Sequence, residues 1–189
     1  KFSDFSCYSF YPGKNLGCYG DGGIITTNNK KYYEKLNKLR NLGAVTKHVH
    51  DEIGVNSRLD TIQATLLNLK LKYLKRFNLK RKKIANFYKK NIKNNKIDII
   101  EYTKHAVFHQ YVILVRNRNN LIKLLEKNNV QFGIHYPLSI NKLNCFKNIF
   151  SNQNFYNSEF IASNCLSIPI DPNLSLSDQK KICSILNSY

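Results

Sequence analysis

The sequence has no methionine, no tryptophan and few acidic residues, with 12 Asp and Glu against 30 Lys and Arg among 189 residues. No apolar run approaches the roughly 20 residues that a membrane-spanning helix needs. Residues 1–4 lack the hydrophobic start of a signal peptide. We therefore expect a soluble, cytoplasmic protein that does not bind a membrane. Because position 1 is not Met, we also expect that the chain does not begin at its natural start.

Cysteine and histidine form no pattern that is typical of a metal or redox site. The five cysteines are odd in number and scattered, without a Cys-x-x-Cys pair. We expect inert, mostly buried thiols in a reducing compartment. His48 and His50 would lie on one face of a strand, but no third ligand follows at a suitable spacing. No metal site is expected.

The scarcity of acidic residues leaves a net charge of +18, which is typical of proteins that bind nucleic acids or anionic surfaces. Lysine carries this charge far more than arginine, at helical positions such as Lys70, Lys72 and Lys75. The sequence also has no zinc finger, no aromatic RNA-binding consensus and no arginine-rich arm. This pattern favours solvated helix surfaces. A basic nucleic-acid-binding protein stays the weaker alternative.

What the chain does have is a lysine in a segment rich in turn residues. Lys14 follows an aromatic, β-prone run and a Pro-Gly pair, and four glycines lie within positions 17–23. Such backbone is neither ordinary helix nor ordinary sheet. A lysine forms a Schiff base with an aldehyde when its neutral amine is available, and pyridoxal phosphate is the cofactor that most often uses this chemistry. The alternative is a solvated turn residue. The segment is not a nucleotide-binding loop, because no G-x-G-x-x-G precedes a helix and no Ser or Thr follows Lys14.

The rest of the chain alternates between strand and helix patterns, and its 42% hydrophobic content is enough for a packed core. The expected elements are strands at 5–10 and 23–27, a helix at 31–42 with Gly43 as C-cap, a long helix that begins in a capping box at 57–60, strands at 106–115 and 131–136, and helices at 119–127 and 177–186, the last capped by Ser175 or Ser177. The long helix has no Pro or Gly, and we expect it to bend or break near Asn78 and to bridge two domains.

Four segments carry a resemblance to a known family. The sequence SFYPGKNLG at 9–17, with GDGG at 20–23, closely resembles the cofactor-lysine segment of the DegT/DnrJ/StrS aminotransferases. The sequences GVNSRLD at 54–60, FHQYVI at 108–113 and GIHYP at 133–137 follow in the order of that family. The resemblance implies an α/β fold: the C-terminal part of a fold-type I pyridoxal-phosphate-dependent transferase. Residues 1–76 would be a remnant of the large-domain sheet with a long linking helix, and residues 77–189 a small α+β domain.

The resemblance also implies a cofactor site. Lys14 would form the internal aldimine with pyridoxal phosphate and act as the catalytic residue, and Ser9 would bind the cofactor phosphate. Asn56 would reach the cofactor phosphate of the other subunit. From the residues alone, the ordinary expectation for Asn56 is a residue at the start of a helix.

Three residues would contact the substrate. Arg58 matches a position that contacts substrate or phosphate across the subunit interface, and His135 and Tyr136 match a pair that lines the sugar-nucleotide pocket. From the residues alone, a core His and a half-buried Tyr at a strand end are the ordinary expectation. The chain departs from the family pattern at Ser139 and Asn141, where a proline and a histidine are common, so the substrate edge of the pocket differs from that pattern.

Taken together, the resemblance implies a homodimeric aminotransferase that transfers an amino group, commonly from glutamate, to a nucleotide-linked keto-sugar for cell-surface polysaccharide or lipopolysaccharide biosynthesis. The segment before Lys1 in a complete member supplies the aspartate that pairs with the pyridine nitrogen, so we expect residues 1–189 alone to be inactive. One alternative is a nonenzymatic or regulatory relative that keeps the fold. Another is a sugar dehydratase, in which the lysine is replaced, and Lys14 argues against it.

Overall fold

A computed structural model describes residues 3–150 and 153–189. The chain divides into two units, Lys1–Lys75 and Arg76–Tyr189. Residues 1 and 2, which belong to the segment where we expected no signal peptide, lie outside the described residues. Among the helices of the described ranges, none combines the length and the apolar character that a membrane span requires.

The first unit is built on a β-hairpin and one short helix. Its elements are β1 Ser6–Ser9, β2 Gly23–Thr26, α1 Lys30–Leu39, β3 Ala44–Thr46 and β4 Val49–His50. Strands β1 and β2 are antiparallel, and Ser9 lies opposite Gly23, so the lysine segment connects the two strands as the sequence predicts. The Asn29 side chain caps α1 by accepting a hydrogen bond from the Lys31 amide at 3.0 Å. Gly43, predicted as the C-cap, lies beyond the cap residue Arg40.

The long helix α2 spans Thr61–Asn91 without interruption, and the boundary between the two units falls inside it. We predicted a bend or break near Asn78. A break is wrong, because α2 is one continuous helix across that residue, and a bend stays a prediction. The predicted capping box is also wrong. The helix begins after Asp60, whose carbonyl accepts from the Ala64 amide at 2.9 Å, and the Ser57 amide instead donates to the Arg40 carbonyl.

The second unit is a small α+β domain around a three-stranded antiparallel sheet of order β5-β6-β7. Its elements are β5 Ile97–Ile99, β6 Tyr111–Val115, α3 Arg118–Lys127, α4 Tyr156–Asn164, β7 Cys165–Ile168 and α5 Leu176–Ser188, with 3₁₀ turns at Ile140–Lys142 and Asn144–Phe146. Ser175 caps α5 by accepting from the Asp178 amide at 3.1 Å, which confirms one of the two predicted caps. The strand predicted at 131–136 is reduced to one bridge between Gly133 and Ser167.

The core of the second unit lies between this sheet and the helices packed on it. Burial alternates along β6, where Tyr111, Ile113 and Val115 are almost fully buried. Leu121 of α3 and Leu186 of α5 are fully buried in the same cluster. The second unit therefore has the apolar contacts of an ordinary small domain.

The first unit has far fewer buried side chains. Both strands of the hairpin are largely exposed, and no residue of α1 is buried. Large apolar side chains are exposed on β1 and β2, with Tyr8 at 55%, Ile24 at 47% and Ile25 at 48% of their full area. Ile62 and Leu69 of α2 are exposed as well. The first unit thus presents an apolar surface that its own residues do not cover.

Candidate active site

The segment that carries Lys14 is a loop fastened at several backbone positions. The Phe10 amide donates to the Gly22 carbonyl at 2.8 Å, which extends the hairpin ladder by one rung. The Lys14 amide donates to the Tyr11 carbonyl at 2.8 Å, so Pro12 and Gly13 form the centre of a tight turn. This turn places Lys14 at a fixed point of the loop.

The glycines of the loop allow the backbone to pack against itself. A Cβ atom at Gly17 would lie 2.4 Å from the Pro12 carbonyl oxygen, and one at Gly22 would lie 2.8 Å from the Cys18 sulfur. The Cys18 side chain is only 1% exposed, and its sulfur lies 3.0 Å from the carbonyl oxygens of Phe10 and Gly20, either of which can accept its one hydrogen. Glycine is therefore required at positions 17 and 22 because of space.

Two residues of α2 hold the loop from outside. Gln63 forms a pair of hydrogen bonds with the backbone of Tyr19, accepting from its amide at 2.7 Å and donating to its carbonyl at 2.8 Å. The Lys70 ammonium donates to the Gly17 carbonyl at 2.6 Å and lies 4.3 Å from the centre of the Tyr19 ring. This support was not predicted from the sequence. Gln63 and Lys70 are seven residues apart and so share a helix face, but nothing in the sequence connects them to the loop.

Lys14 differs from Lys70 in that its side-chain amine is free. Lys14 is half-buried, and no acceptor among residues 3–150 and 153–189 pairs with its Nζ atom. Ser9 lies at the end of β1, and its Oγ accepts a hydrogen bond from the Tyr11 amide at 3.2 Å. The hydroxyl hydrogen of Ser9 is left available to an acceptor. The hairpin therefore places a free amine and a free hydroxyl donor on one segment, five residues apart.

Asn56 and Arg58 lie on a strap that runs along the end of α1. The Val55 amide donates to the Leu39 carbonyl at 2.8 Å, and Asn56 pairs with Asn41 in an isolated bridge. Because α2 begins only at Thr61, the interpretation of Asn56 as a helix-start residue is wrong. The Arg58 Nε atom donates to the Asn56 Oδ1 atom at 2.9 Å. This bond uses the acceptor of the Asn56 amide and leaves its Nδ2 donor free.

His135 and Tyr136 lie in the second unit. The His135 Nδ1 atom and the Ser167 hydroxyl are 2.9 Å apart, and the Gly133 amide donates to the Ser167 carbonyl at 2.9 Å. Tyr136 has a φ of 60° and is 84% exposed, so it is not the half-buried strand residue that residue type alone favours. His135 is also exposed.

Asn141 attaches the loop after Pro137 to α4. It is one of the two positions at which the chain departs from the family pattern. The Asn141 Nδ2 atom donates to the Glu159 Oε1 atom at 2.8 Å, and the Lys142 ammonium lies 3.3 Å from the other carboxylate oxygen. The Asn141 hydrogen bond, and then Lys142, lower the pKa of the Glu159 carboxyl. Ser139 is 8% exposed, and its hydroxyl has no hydrogen-bond partner among the described residues.

The site residues thus occur in two groups. Ser9 and Lys14 share the hairpin, and Asn56 and Arg58 share a hydrogen bond, all within the first unit. His135 and Tyr136 belong to the second unit. The roles of these six residues stay predictions. In the described part of the chain, no group of three or more His, Cys, Asp or Glu side chains could hold a metal ion.

The profile of the DegT/DnrJ/EryC1/StrS aminotransferase family matches residues 1–187. The chain belongs to this family. Its α/β fold is the C-terminal part of a fold-type I pyridoxal-phosphate-dependent transferase, as the resemblance implied. Members of the DegT/DnrJ/EryC1/StrS family depend on pyridoxal phosphate.

Three similar proteins illustrate the relationship to other DegT/DnrJ/EryC1/StrS aminotransferases. The dTDP-3-amino-3,6-dideoxy-alpha-D-galactopyranose transaminase of Aneurinibacillus thermoaerophilus is 40% identical, over 96% of this chain and 55% of its own. A DegT DnrJ EryC1 StrS aminotransferase structure from Brucella abortus matches at a TM-score of 0.90 and 32% identity, over 98% of this chain and 50% of its own. The structure of ntda from Bacillus subtilis with bound cofactor pmp matches at a TM-score of 0.88 and 27% identity, over 98% of this chain and 45% of its own.

The chain spans about half the length of the curated relatives it matches.

Proposed function

We propose that the whole protein is a pyridoxal-phosphate-dependent aminotransferase that transfers an amino group to a nucleotide-linked keto-sugar, for cell-surface polysaccharide or lipopolysaccharide biosynthesis. The observation that carries this proposal is the free amine of Lys14 on a fastened loop, in a chain of this family. A nonenzymatic relative would not need a lysine that is both fixed in position and unpaired.

The donor groups of the first unit fit the cofactor. An aldehyde needs an amine, which Lys14 supplies, and a phosphate needs hydrogen-bond donors, which the Ser9 hydroxyl and the Asn56 Nδ2 atom supply. Pyridoxal phosphate, when bound, supplies a ring that accepts electrons from the carbon next to the transferred amine. Ser9 and Asn56 hold the phosphate in this proposal, and Lys14 binds the aldehyde.

Lys14 also moves the proton of the reaction. Its Nζ atom, when it is not bonded to the cofactor, takes the proton from the α-carbon of the amino donor as a general base and returns a proton as a general acid. The turn at Pro12 and Gly13 and the supports from Gln63 and Lys70 keep this amine in place. A fixed base lowers the entropic cost of reaching the reactive geometry.

We assign the substrate contacts to Arg58, His135 and Tyr136. The name of the 40% identical relative supports a nucleotide diphosphate sugar aminated at carbon 3. An arginine and an exposed His-Tyr pair suit a ligand that carries phosphates and sugar hydroxyls. Glutamate is the proposed amino donor, as is common in the family.

We further propose a cytoplasmic homodimer with two shared active sites. The apolar surface on β1, β2 and the first half of α2 supports contacts with further protein, since large exposed apolar patches mark interaction sites. The described cysteines are all free, which supports a reducing compartment.

The test is to trap the cofactor on its lysine. The complete protein, loaded with pyridoxal phosphate, should absorb visible light, and borohydride should fix the label on Lys14, as peptide mass spectrometry would locate it. Lys14→Ala should lose the label and the transamination of a dTDP-keto-sugar with glutamate. Lys31→Ala, which changes an exposed lysine of α1, should retain both. A label on any other lysine would overturn the assignment.

A further inference from the structure

A cavity of about 360 Å³ lies in the second unit, away from His135 and Tyr136 in sequence and outside the roles proposed above. One wall is the part of α2 that carries Lys80, Lys83 and Ile84, and the other is formed by residues 172–174 and Gln179 of α5. It is wide open to solvent, so it is a surface depression rather than an enclosed pocket.

The rim of the cavity on α2 carries positive charge that no described acidic residue neutralises. Lys80 and Lys83 are three residues apart and so project from adjacent positions of one helix face. Neither forms an ion pair with an acid of the described ranges, whereas Lys89 further along α2 pairs with Glu101 at 3.9 Å. Two neighbouring cations without a counter-ion attract an anion.

The two acids closest in sequence to the opposite wall are already engaged. Asp171 interacts electrostatically with Arg81, and its Oδ1 atom accepts from the Asn173 amide at 2.8 Å. The Asp178 carboxylate accepts a hydrogen bond from the Ser175 hydroxyl at 2.5 Å. Neither acid forms an ion pair with Lys80 or Lys83, whose exposed ammonium groups are accessible to an anion from solution.

The wall of the cavity opposite α2 is rigid and partly apolar. The Leu174 amide donates to the Asp171 carbonyl at 3.0 Å, and Gln179, which is 9% exposed, donates from Nε2 to the Leu174 carbonyl at 2.9 Å. Pro172 and Leu174 are partly exposed and form the accessible apolar part of the lining. The site therefore joins a cationic rim to an apolar surface.

We propose that this cavity binds a small phosphate monoester, with the phosphate at Lys80 and Lys83 and the apolar body of the ester against Pro172 and Leu174. Lysine binds phosphate as a point charge, and the apolar lining favours an ester over free phosphate. The proposal does not depend on the aminotransferase activity.

Binding can be measured by NMR titration of the chain with phenyl phosphate, inorganic phosphate and benzyl alcohol at low ionic strength, where charge interactions are screened least. We expect phenyl phosphate to shift the amide signals of residues 172–179 and to bind more tightly than inorganic phosphate, and benzyl alcohol not to bind. Equal affinity for phenyl phosphate and inorganic phosphate, with no change in the amide signals of residues 172–179, would overturn the proposal. That result would indicate an adventitious ion only.

A pair of double variants separates the cavity from the general charge of α2. Lys80→Gln with Lys83→Gln should weaken phenyl phosphate binding by about tenfold, the loss expected for charged hydrogen bonds. Lys72→Gln with Lys75→Gln removes the same charge at the same spacing, from exposed lysines of α2 away from the cavity, and should leave affinity nearly unchanged. Equal losses in both variants would refute a site.

The unmodified chain provides an independent measurement. Phenyl phosphate should slow acetylation of Lys80 and Lys83 by an N-hydroxysuccinimide ester, with the rates read by mass spectrometry, and should leave Lys72 and Lys75 unprotected. Uniform protection of all four lysines would also refute the proposal.

Discussion

Lys14 and Lys70 carry the same side chain in the same unit, but they differ in what their amines contact. The Lys70 ammonium is used to fasten the Gly17 carbonyl and to cover the Tyr19 ring. The Lys14 amine has no partner among the described residues, and a Schiff-base lysine must have its amine available. Turn residues next to Lys14 made it predictable from the sequence. Lys70 was not predictable, since its acceptor lies 53 residues away along the chain.

A second single-residue prediction concerns Asn141, which should determine the pKa of the Glu159 carboxyl. Asn141→Ala removes the main cause that lowers the Glu159 pKa, so we expect that pKa to rise towards the ordinary value of a glutamate. NMR titration of the Glu159 carboxyl carbon measures it. Asn120→Ala, which changes an exposed residue of α3, should have no effect.

The sign of the pH dependence follows from the lowered pKa. Stability from Glu159 is present above the unfolded-state pKa and is lost as the pH falls through the folded-state pKa. The wild-type protein should therefore lose the attachment of the 138–142 loop to α4 in acid, while Asn141→Ala should show a smaller change over the same window. An unaltered Glu159 titration in Asn141→Ala would contradict this account.

Among the elements, those specified by local signals were predictable and those specified by distant partners were not. The β1–β2 hairpin and helices α1 and α5 have turn residues, caps and periodic apolar positions of their own. Strands β5 and β7 have three and four residues and owe their pairing to β6, which for β7 lies about 50 residues earlier in the chain. Such short segments are too brief to show a period. Residues 131–136 have a strand composition but form only one bridge, so the strand prediction failed there.

The loop of the hairpin provides a test with a matched control. Gly17→Ala places a Cβ atom 2.4 Å from the Pro12 oxygen, so the backbone must shift, and we expect a loss of about 1–3 kcal/mol of stability and weaker binding of pyridoxal phosphate. Gly13→Ala has its nearest neighbours at 3.6 Å, in the Tyr11 ring, and should keep both properties. Chemical denaturation and cofactor titration measure them. Equal behaviour of the two variants would show that the loop is not packed as described.

At the scale of the whole molecule, the two units differ in how they are stabilised. The second unit buries a continuous apolar cluster, and the first leaves apolar strands and helix positions exposed. Sequence motifs were sufficient to identify the family, whose profile matches residues 1–187. The contacts of Gln63, Lys70 and Glu159 join distant segments and could be found only in the folded chain.

Shared sites make a prediction about mixed dimers. In the proposed dimer, Lys14→Ala and Asn56→Ala inactivate different halves of a shared site, so a hybrid of the two variants retains one intact site. An equal mixture of two inactive variants of the complete protein, dissociated and reassembled, should recover about a quarter of wild-type activity. Sedimentation should show a dimer. No recovery on mixing, or an active monomer, would argue against shared sites.

The distribution of free thiols gives each unit its own attachment point for a probe. Cys7 is exposed on β1 and Cys145 is exposed in the second unit, whereas Cys18, Cys165 and Cys183 are buried. Burial raises the pKa of the Cys183 thiol to about 11, which leaves little reactive thiolate at neutral pH. A maleimide dye or a nitroxide can therefore be attached to Cys7 in the first unit and to Cys145 in the second unit without mutagenesis. The distance between the two labels would report the arrangement of the units in solution, and its change when a sugar nucleotide is added.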